Sequence, residues 1–402
     1  MKDRDILFKY CKVMFYIGSG NCWYKEDEIG NDRSILYRVC SASLMLLYSY
    51  MAIFELIAFA FGNFPEEEKR QALIGGAGHT VMLLKALFLT TKKLPIRSLN
   101  RKIVSICEDY EDSALMARKY KIMKINAISY LGLVNGGVLL YIIEGLRNML
   151  NGSHFVTVVT YYPSFEDDSM LATIVRVFNT IIFIMIMLTI VISVDTYIVT
   201  YFIMYRYKFI TLRKYFENLR NDFFTLIERK EVELATEKLA NGLVEGIKMH
   251  SSLIRLKPEI DKAFATVSAI RVFESSSLAV CLLFEISPSD QRIPIEETVK
   301  TMIFIFALFF AMGLFLCNAG DITYQASQLT DAIFYCGWQS CPPRPRSAPN
   351  HNIRKMVLLA IMQAQRPPVM KAFKVLELNY ATYIQLVRST YSVFTLLCAQ
   401  KT

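Results

Sequence analysis

Residues 379–402 read Asn379-Tyr-Ala-Thr-Tyr-Ile-Gln-Leu-Val-Arg-Ser-Thr-Tyr-Ser-Val-Phe-Thr-Leu-Leu-Cys-Ala-Gln-Lys-Thr402. The segment is just long enough to cross a bilayer, which takes about 20 mainly apolar residues. Drawn at about 100° per residue, one side of that helix carries Gln385, Arg388, Ser389, Ser392, Leu396, Ala399 and Gln400. The other carries Val387, Tyr391, Phe394, Leu397 and Cys398. A polar stripe on a spanning helix needs water or a protein partner to face. That is the demand a pore makes.

The remainder of the chain is built on the same scale. Of 402 residues, 53% are hydrophobic and 13% aromatic, too apolar for an ordinary soluble domain. Six more stretches reach spanning length, 35–61, 72–91, 125–149, 172–203, 263–284 and 299–319, and with 380–397 they make seven crossings. The expected fold is therefore an all-α integral membrane protein with seven transmembrane helices. The charged start, Met1-Lys-Asp-Arg-Asp-Ile-Leu-Phe-Lys, lacks the apolar core and cleavage site of a signal peptide, so the first helix is expected to insert itself.

Orientation follows from the loops. Lys92, Lys93, Arg97, Arg101, Lys102, Arg118, Lys119, Lys121 and Lys124 follow the second span, and Arg206, Lys208, Arg213, Lys214 and Arg220 follow the fourth. The alternate loops hold mostly acids: Glu66, Glu67, Glu68, Glu166, Asp167, Asp168, Glu285, Asp290, Glu296 and Glu297. The positive-inside rule then predicts a cytoplasmic N-terminus and an extracellular C-terminus. It also accounts for the net charge of +9 without nucleic acid. Cys11, Cys22, Cys107, Cys336 and Cys341 fall on the reducing side and Cys40, Cys281, Cys317 and Cys398 within spans, so no extracellular disulfide is expected. The sequon Asn151-Gly152-Ser153 lies in a loop expected outside, which makes Asn151 a glycosylation candidate.

The connection 205–262 is too long for a simple loop. Leu239, Leu243, Ile247, Leu253, Leu256 and Ile260 recur at helical spacing within it, so the fourth and fifth helices are expected to continue into the cytoplasm. After the sixth span come helical spacing through Ile322, Leu329, Ile333 and Phe334, a proline-rich loop at 342–349, and a short helix over 353–363 ended by Arg366-Pro367-Pro368.

Catalytic chemistry is poorly represented. His79, His154, His250 and His351 are scattered, Cys336 and Cys341 have no second pair for zinc, and no phosphate loop or nucleophile elbow occurs. Neither an enzyme nor a bound cofactor or metal is expected. Among ionisable residues near or within spans, Glu55, Lys85, Glu144, Arg176 and Asp195 lie mostly within two turns of a span end, where snorkelling suffices. Arg388 lies in the inner half of the last span and is expected to face water or a carboxylate of another helix. Toward the outer halves, His79 with Leu83, then Asn135, Leu139 and Ile142, then Phe178 and Ile182, then Phe306 and Phe309, share helix faces by spacing. Such apolar faces with isolated polar groups suit a small hydrophobic ligand; they also suit plain helix–helix or lipid contact.

Three stretches resemble the insect odorant receptor family: Ser327, Ala332, Tyr335 and Trp338 after the sixth span; Arg354-Lys-Met-Val-Leu-Leu-Ala-Ile-Met-Gln-Ala-Gln-Arg-Pro367; and Ser389-Thr-Tyr-Ser-Val-Phe-Thr-Leu-Leu397. His250 with Ile254 and Leu256 is similar to that family's cytoplasmic helix before the fifth span. The resemblance implies a ligand-gated, non-selective cation channel in the membrane of a sensory neuron dendrite. It implies a volatile organic ligand in the outer half of the bundle and a tetramer with the last helix of each subunit lining the pore. The chain would divide into a cytoplasmic segment 1–34, a six-helix bundle 35–319, cytoplasmic anchor helices 320–378 and the pore helix 379–402. His250, Tyr335 and Trp338 would belong to the anchor, and Arg388, Ser392, Leu396 and Gln400 to the pore, with the gate at Leu396 and Gln400. Lacking the co-receptor's long insertion between the fourth and fifth spans, the chain is more similar to an odorant-tuned subunit that assembles with the co-receptor. Two residues depart from the family: Gln400 is polar where the gate is usually apolar, and Phe373 stands where members often have Gly.

Two rivals fit less well. A gustatory receptor usually closes with Thr-Tyr, five apolar residues and Gln-Phe, whereas Thr390-Tyr391 is followed here by Ser-Val-Phe-Thr-Leu-Leu-Cys. A G-protein-coupled receptor predicts an outside N-terminus and a cysteine bridge between outer loop and third span. A transporter predicts an inverted repeat, which the chain lacks.

Overall fold

The computed structural model describes residues 2–150, 160–162, 167, 169–285, 295–341, 353–373 and 375–399. The candidate residues Asn151 and Gln400 and the proline-rich stretch 342–349 lie outside them.

A short helix, α1 (Asp3–Tyr16), precedes the spans. It packs on α4 (Lys93–Ser105) and on α6 (Met170–Glu228). Among the described residues six helices are long and apolar enough to cross a membrane: α2 (Ile35–Phe61), α3 (Glu66–Thr91), α5 (Ser113–Leu150), α6, α7 (Val232–Glu285) and α8 (Ile295–Ser327). Within lipid each must satisfy its own backbone groups, which only a continuous helix does for a single segment. Ser34 and Ser169 start α2 and α6 cleanly, their hydroxyls accepting from the Tyr37 and Ala172 amides at 3.2 Å. The short α9 (Leu329–Phe334), α10 (Ile353–Ala364) and the last helix α11 (Tyr380–Ala399) complete the order. With 20 residues α11 is the seventh spanning helix of the fold, although its polar face keeps it out of the six that length and apolarity alone pick out.

Helices α6 and α7 have 59 and 54 residues, far beyond the about 20 a bilayer needs, so both continue outside it as expected. The chain reverses at Lys230, whose φ is +65°, and α7 returns along α6. Gly242 and Gly246 permit the close approach: any Cβ there would run into the side chains of Leu219 and Phe216. On α6, Tyr197, Tyr201, Tyr205, Phe209 and Phe216 recur at helical spacing and are fully buried. They join one core with Leu239, Leu243, Leu253, Leu256 and Ile260 of α7. Buried tyrosines need partners for their hydroxyls. Tyr197 donates to Asn100 Oδ1 at 2.8 Å, Tyr201 to the Leu99 carbonyl at 3.2 Å and Tyr205 to the Leu253 carbonyl at 2.8 Å. The periodicity read in 205–262 thus packs within this chain.

One element goes beyond the all-α expectation. Strands β1 (Lys371–Ala372) and β2 (Leu376–Glu377) form a minimal antiparallel hairpin before α11. Its turn holds Phe373 at φ +47°, left-handed backbone that favours glycine, so the departure noted at this position falls where a side chain is strained. No disulfide joins the cysteines among the described residues.

Candidate pore face and buried polar sites

Helix α11 lies against α7 and α8. Two glycines seven residues apart on α8 receive it: Cβ atoms at Gly313 and Gly320 would sit 3.3 Å from the Tyr383 ring and 3.2 Å from Asn379 Cα. Asn379 Oδ1 accepts from the Thr382 amide at 2.9 Å, fixing the first turn. The Tyr380 hydroxyl donates to Asp321, whose other oxygen pairs with Arg206, so α6, α8 and α11 meet at one carboxylate.

The packed side of α11 consists of Thr382, Tyr383, Leu386, Val387 and Thr390. Thr390 is buried because its hydroxyl folds back on the Leu386 carbonyl at 2.8 Å. Tyr391, read from the helical wheel as part of the apolar side, is instead 63% exposed. The opposite side matches the expected polar stripe. Gln385, Arg388, Ser389 and Ser392 are exposed and, with Ile384 and Val393, line an open groove of about 660 Å³. Arg388 makes no ion pair among the described residues, and Leu396 is exposed one turn beyond Ser392.

The ligand candidates do not share one environment. His79 is buried and its Nδ1 contacts the Glu55 carboxylate of α2. Gly75 makes room for that carboxylate, since a Cβ there would lie 3.2 Å from Glu55 Oε1. Leu83 and Phe309 pack against the main core, and Ile142 and Ile182 are half-buried. Asn135, Leu139, Phe178 and Phe306 are exposed, and the Asn135 amide donates to the Leu131 carbonyl of its own helix at 2.8 Å.

The charged residues near span ends correct the snorkelling expectation. Glu55, Lys85 and Asp195 are between 1% and 3% exposed and are held by partners, not drawn to an interface. Lys85 Nζ lies 2.6 Å from Glu274 Oε2 and 3.4 Å from both Asp195 oxygens. Arg271 Nη1 lies 3.0 Å from Asp195 Oδ2 and 3.4 Å from Glu274 Oε2. The Tyr130 hydroxyl donates to Asp195 Oδ2 at 2.7 Å, and the Arg271 guanidinium stacks over the Tyr130 ring. Two cations and two anions from α3, α6 and α7, with a phenol from α5, thus neutralise one another out of water. Arg176, also buried, donates to the Asp167 carbonyl at 2.5 Å. The Glu144 side chain lies outside the described ones. Sequence reading passed over Arg271, Glu274 and Tyr130, although two opposite charges three residues apart inside the stretch 263–284 were a visible signal.

Of the anchor candidates, His250 is buried on α7 with no partner at Nδ1 among the described residues, and burial pulls its imidazole down to about 4. Tyr335 is exposed, and Trp338 is half-buried with Nε1 donating to the Phe334 carbonyl at 2.9 Å.

Fold and geometry define a class: an all-α, seven-span membrane protein with extended inner helices and a final helix that is polar on its open side. The family model described as 7tm odorant receptor matches residues 71–391, and the chain belongs to that family. Odorant receptor Or2 of Anopheles gambiae is 26% identical over 155 residues, covering 39% of this chain and 38% of that protein. Putative odorant receptor 85d of Drosophila melanogaster is 28% identical over 149 residues, 37% of this chain and 33% of that protein. The aligned part therefore spans little more than a third of these relatives. Among solved structures, the insect olfactory receptor OR5 from Machilis hrabei matches with a TM-score of 0.75 at 13% identity, covering 98% of this chain and 99% of that one. Its complex with eugenol matches at 0.72 and 14% identity. At such identities the likeness is one of fold.

Proposed function

We propose that this chain is the odorant-tuned subunit of a ligand-gated, non-selective cation channel of the plasma membrane, assembled as a heterotetramer with the olfactory co-receptor. The observation that carries the reading is the exposed polar face of α11, where Gln385, Arg388, Ser389 and Ser392 front an open groove on a spanning helix. Lipid is a poor solvent for such a face, whereas a water-filled axis shared with other subunits satisfies it. Leu396, exposed on the same side, is an apolar residue available to close the pore, and Gln400 lies four positions further along the sequence.

The ligand in this reading is a small volatile organic molecule held in the outer half of the bundle, among the helices that bear His79, Leu83, Asn135, Leu139, Ile142, Phe178, Ile182, Phe306 and Phe309. Family membership supports it, and the eugenol complex of OR5 is the precedent for a ligand of that size in a protein of similar fold. Odorant binding opens the pore by favouring a state with different contacts, as any ligand switch must. The residues 320–378 hold subunits together beneath the membrane.

Recording membrane currents from cells that express the chain with and without the co-receptor, under a panel of volatile alcohols, esters and phenols, tests the proposal. Odorant-evoked cation current that requires this chain supports it. A chain that reaches the surface with the co-receptor and alters no current under any odorant overturns it.

A further inference from the structure

Resting on the channel reading, we infer that Lys85, Asp195, Arg271 and Glu274 act as an exchangeable gating lock between the odorant-binding helices and the helix that carries the pore. Each anion lies near both cations, so the four charges have two complete pairings. In one, Lys85 meets Glu274 at 2.6 Å and Arg271 meets Asp195 at 3.0 Å. In the other, Lys85 meets Asp195 and Arg271 meets Glu274, both at 3.4 Å in this structure. A movement that draws α7 away from α3 and α6 weakens the first pair of contacts and leaves the second, of which one joins α3 to α6 and the other lies within α7.

Both pairings leave each buried charge with an opposite partner, so α7 can shift relative to α3 and α6 without stranding a charge, which would be strongly unfavourable. The cluster therefore offers α7 two partnered arrangements, and a ligand that binds one of them better shifts their balance. Tyr130 belongs to the same network. Its hydroxyl donates at 2.7 Å to Asp195 Oδ2, the oxygen that Arg271 approaches to 3.0 Å and Lys85 to 3.4 Å, and so tunes how Asp195 is shared between the two cations.

The cluster's place in the bundle gives the exchange a readout. Counted at 1.5 Å per residue, its members lie roughly 8–16 Å from the inner ends of the spans. Outward on α3, α5 and α6 lie His79, Asn135 and Phe178, the helices proposed to bear the ligand site. Arg271 and Glu274 lie on α7, which packs directly against α11. Ligand-dependent movement among α3, α5 and α6 thus reaches the pore helix through the element whose pairing changes.

The test uses the full chain with the co-receptor, with eugenol and a panel of volatile alcohols and esters as probes. Basal current, the half-maximal concentration of the most effective probe and the amount of chain at the surface are measured together. Tyr130→Phe removes one hydroxyl, and Lys85→Arg keeps the charge while changing the geometry. The lock predicts that at parental surface amount each changes the basal open fraction or the half-maximal concentration by about fivefold or more. The exchange Lys85→Glu with Glu274→Lys should recover response that either single reversal abolishes. Response curves and basal currents that overlay the parent's while the variants reach the surface, or effects confined to surface amount, overturn the lock and leave the channel reading intact. A parent chain that alters no current under any probe removes the channel reading and the lock with it.

Discussion

Gly320 of α8 meets the chain at Asn379 so closely that a Cβ would lie 3.2 Å from the Asn379 Cα. The neighbour there is backbone at the entry to α11, which cannot swing aside as a side chain can. Overpacking at such a contact costs about 1–3 kcal/mol. Gly320→Val is expected to shift the first turn of α11 and disturb the Tyr380–Asp321–Arg206 junction, reducing odorant-evoked current more than surface amount. Surface labelling alongside current recording measures both.

Glu55 and His79 bury opposite ends of one polar contact between α2 and α3. Removing one partner strands the other in the bundle, which costs about 1–3 kcal/mol for an unsatisfied buried polar group. His79→Leu alone or Glu55→Leu alone is expected to lower thermal stability in lipid nanodiscs sharply. The double replacement is expected to recover most of the loss, because a well-packed apolar pair carries no such penalty. A double variant as unstable as the sum of the singles contradicts the pairing.

His250 makes the cytoplasmic helices acid-sensitive. Burial lowers its folded-state value to about 4 from an ordinary 6.5, so between these pH values the unfolded chain binds the proton and the folded one does not. Stability is full above pH 6.5 and falls as pH drops through that window, by up to about 3 kcal/mol. Thermal unfolding at pH 7.5 and pH 4.5 is expected to show a larger acid loss for the parent than for His250→Gln.

Phe373 occupies left-handed backbone in the β1–β2 turn and is 62% exposed. Its ring gains little by burial, while the backbone conformation costs about 1–2 kcal/mol for an L side chain. Phe373→Gly is expected to raise stability by about 1 kcal/mol, read as a higher unfolding temperature.

How far these features were legible from sequence follows from the range of the interactions behind them. Span positions depend on local apolarity, so the stretches 35–61 and 172–203 already mark α2 and α6, and spacing within 205–262 marks the inner continuation of α6 and α7. The polar side of α11 was legible for the same reason, because Gln385, Arg388, Ser389 and Ser392 are neighbours on one helix. Thr390 and Tyr391 were not, since a helical wheel cannot tell that Thr390 satisfies its own hydroxyl within the helix. The charge cluster was the least legible. Lys85 and Glu274 are separated by 189 residues, and nothing local to either announces the other. Arg271 and Glu274 offered a hint by their depth in a span, but only the packing of α3, α6 and α7 shows why a charge can stay there. The β-hairpin escaped because two-residue strands carry no periodicity.

The central claim is that the open polar face of α11 borders water in an assembled pore. Cysteine substitution along the helix, in a Cys398→Ser background co-expressed with the co-receptor, tests it with a charged thiol reagent applied during odorant-evoked current. The account predicts that cysteines at Gln385, Arg388, Ser389 and Ser392 react and change the current, while those at Leu386 and Thr390 do not. Reaction at Leu386 and Thr390 with none on the polar face would contradict it.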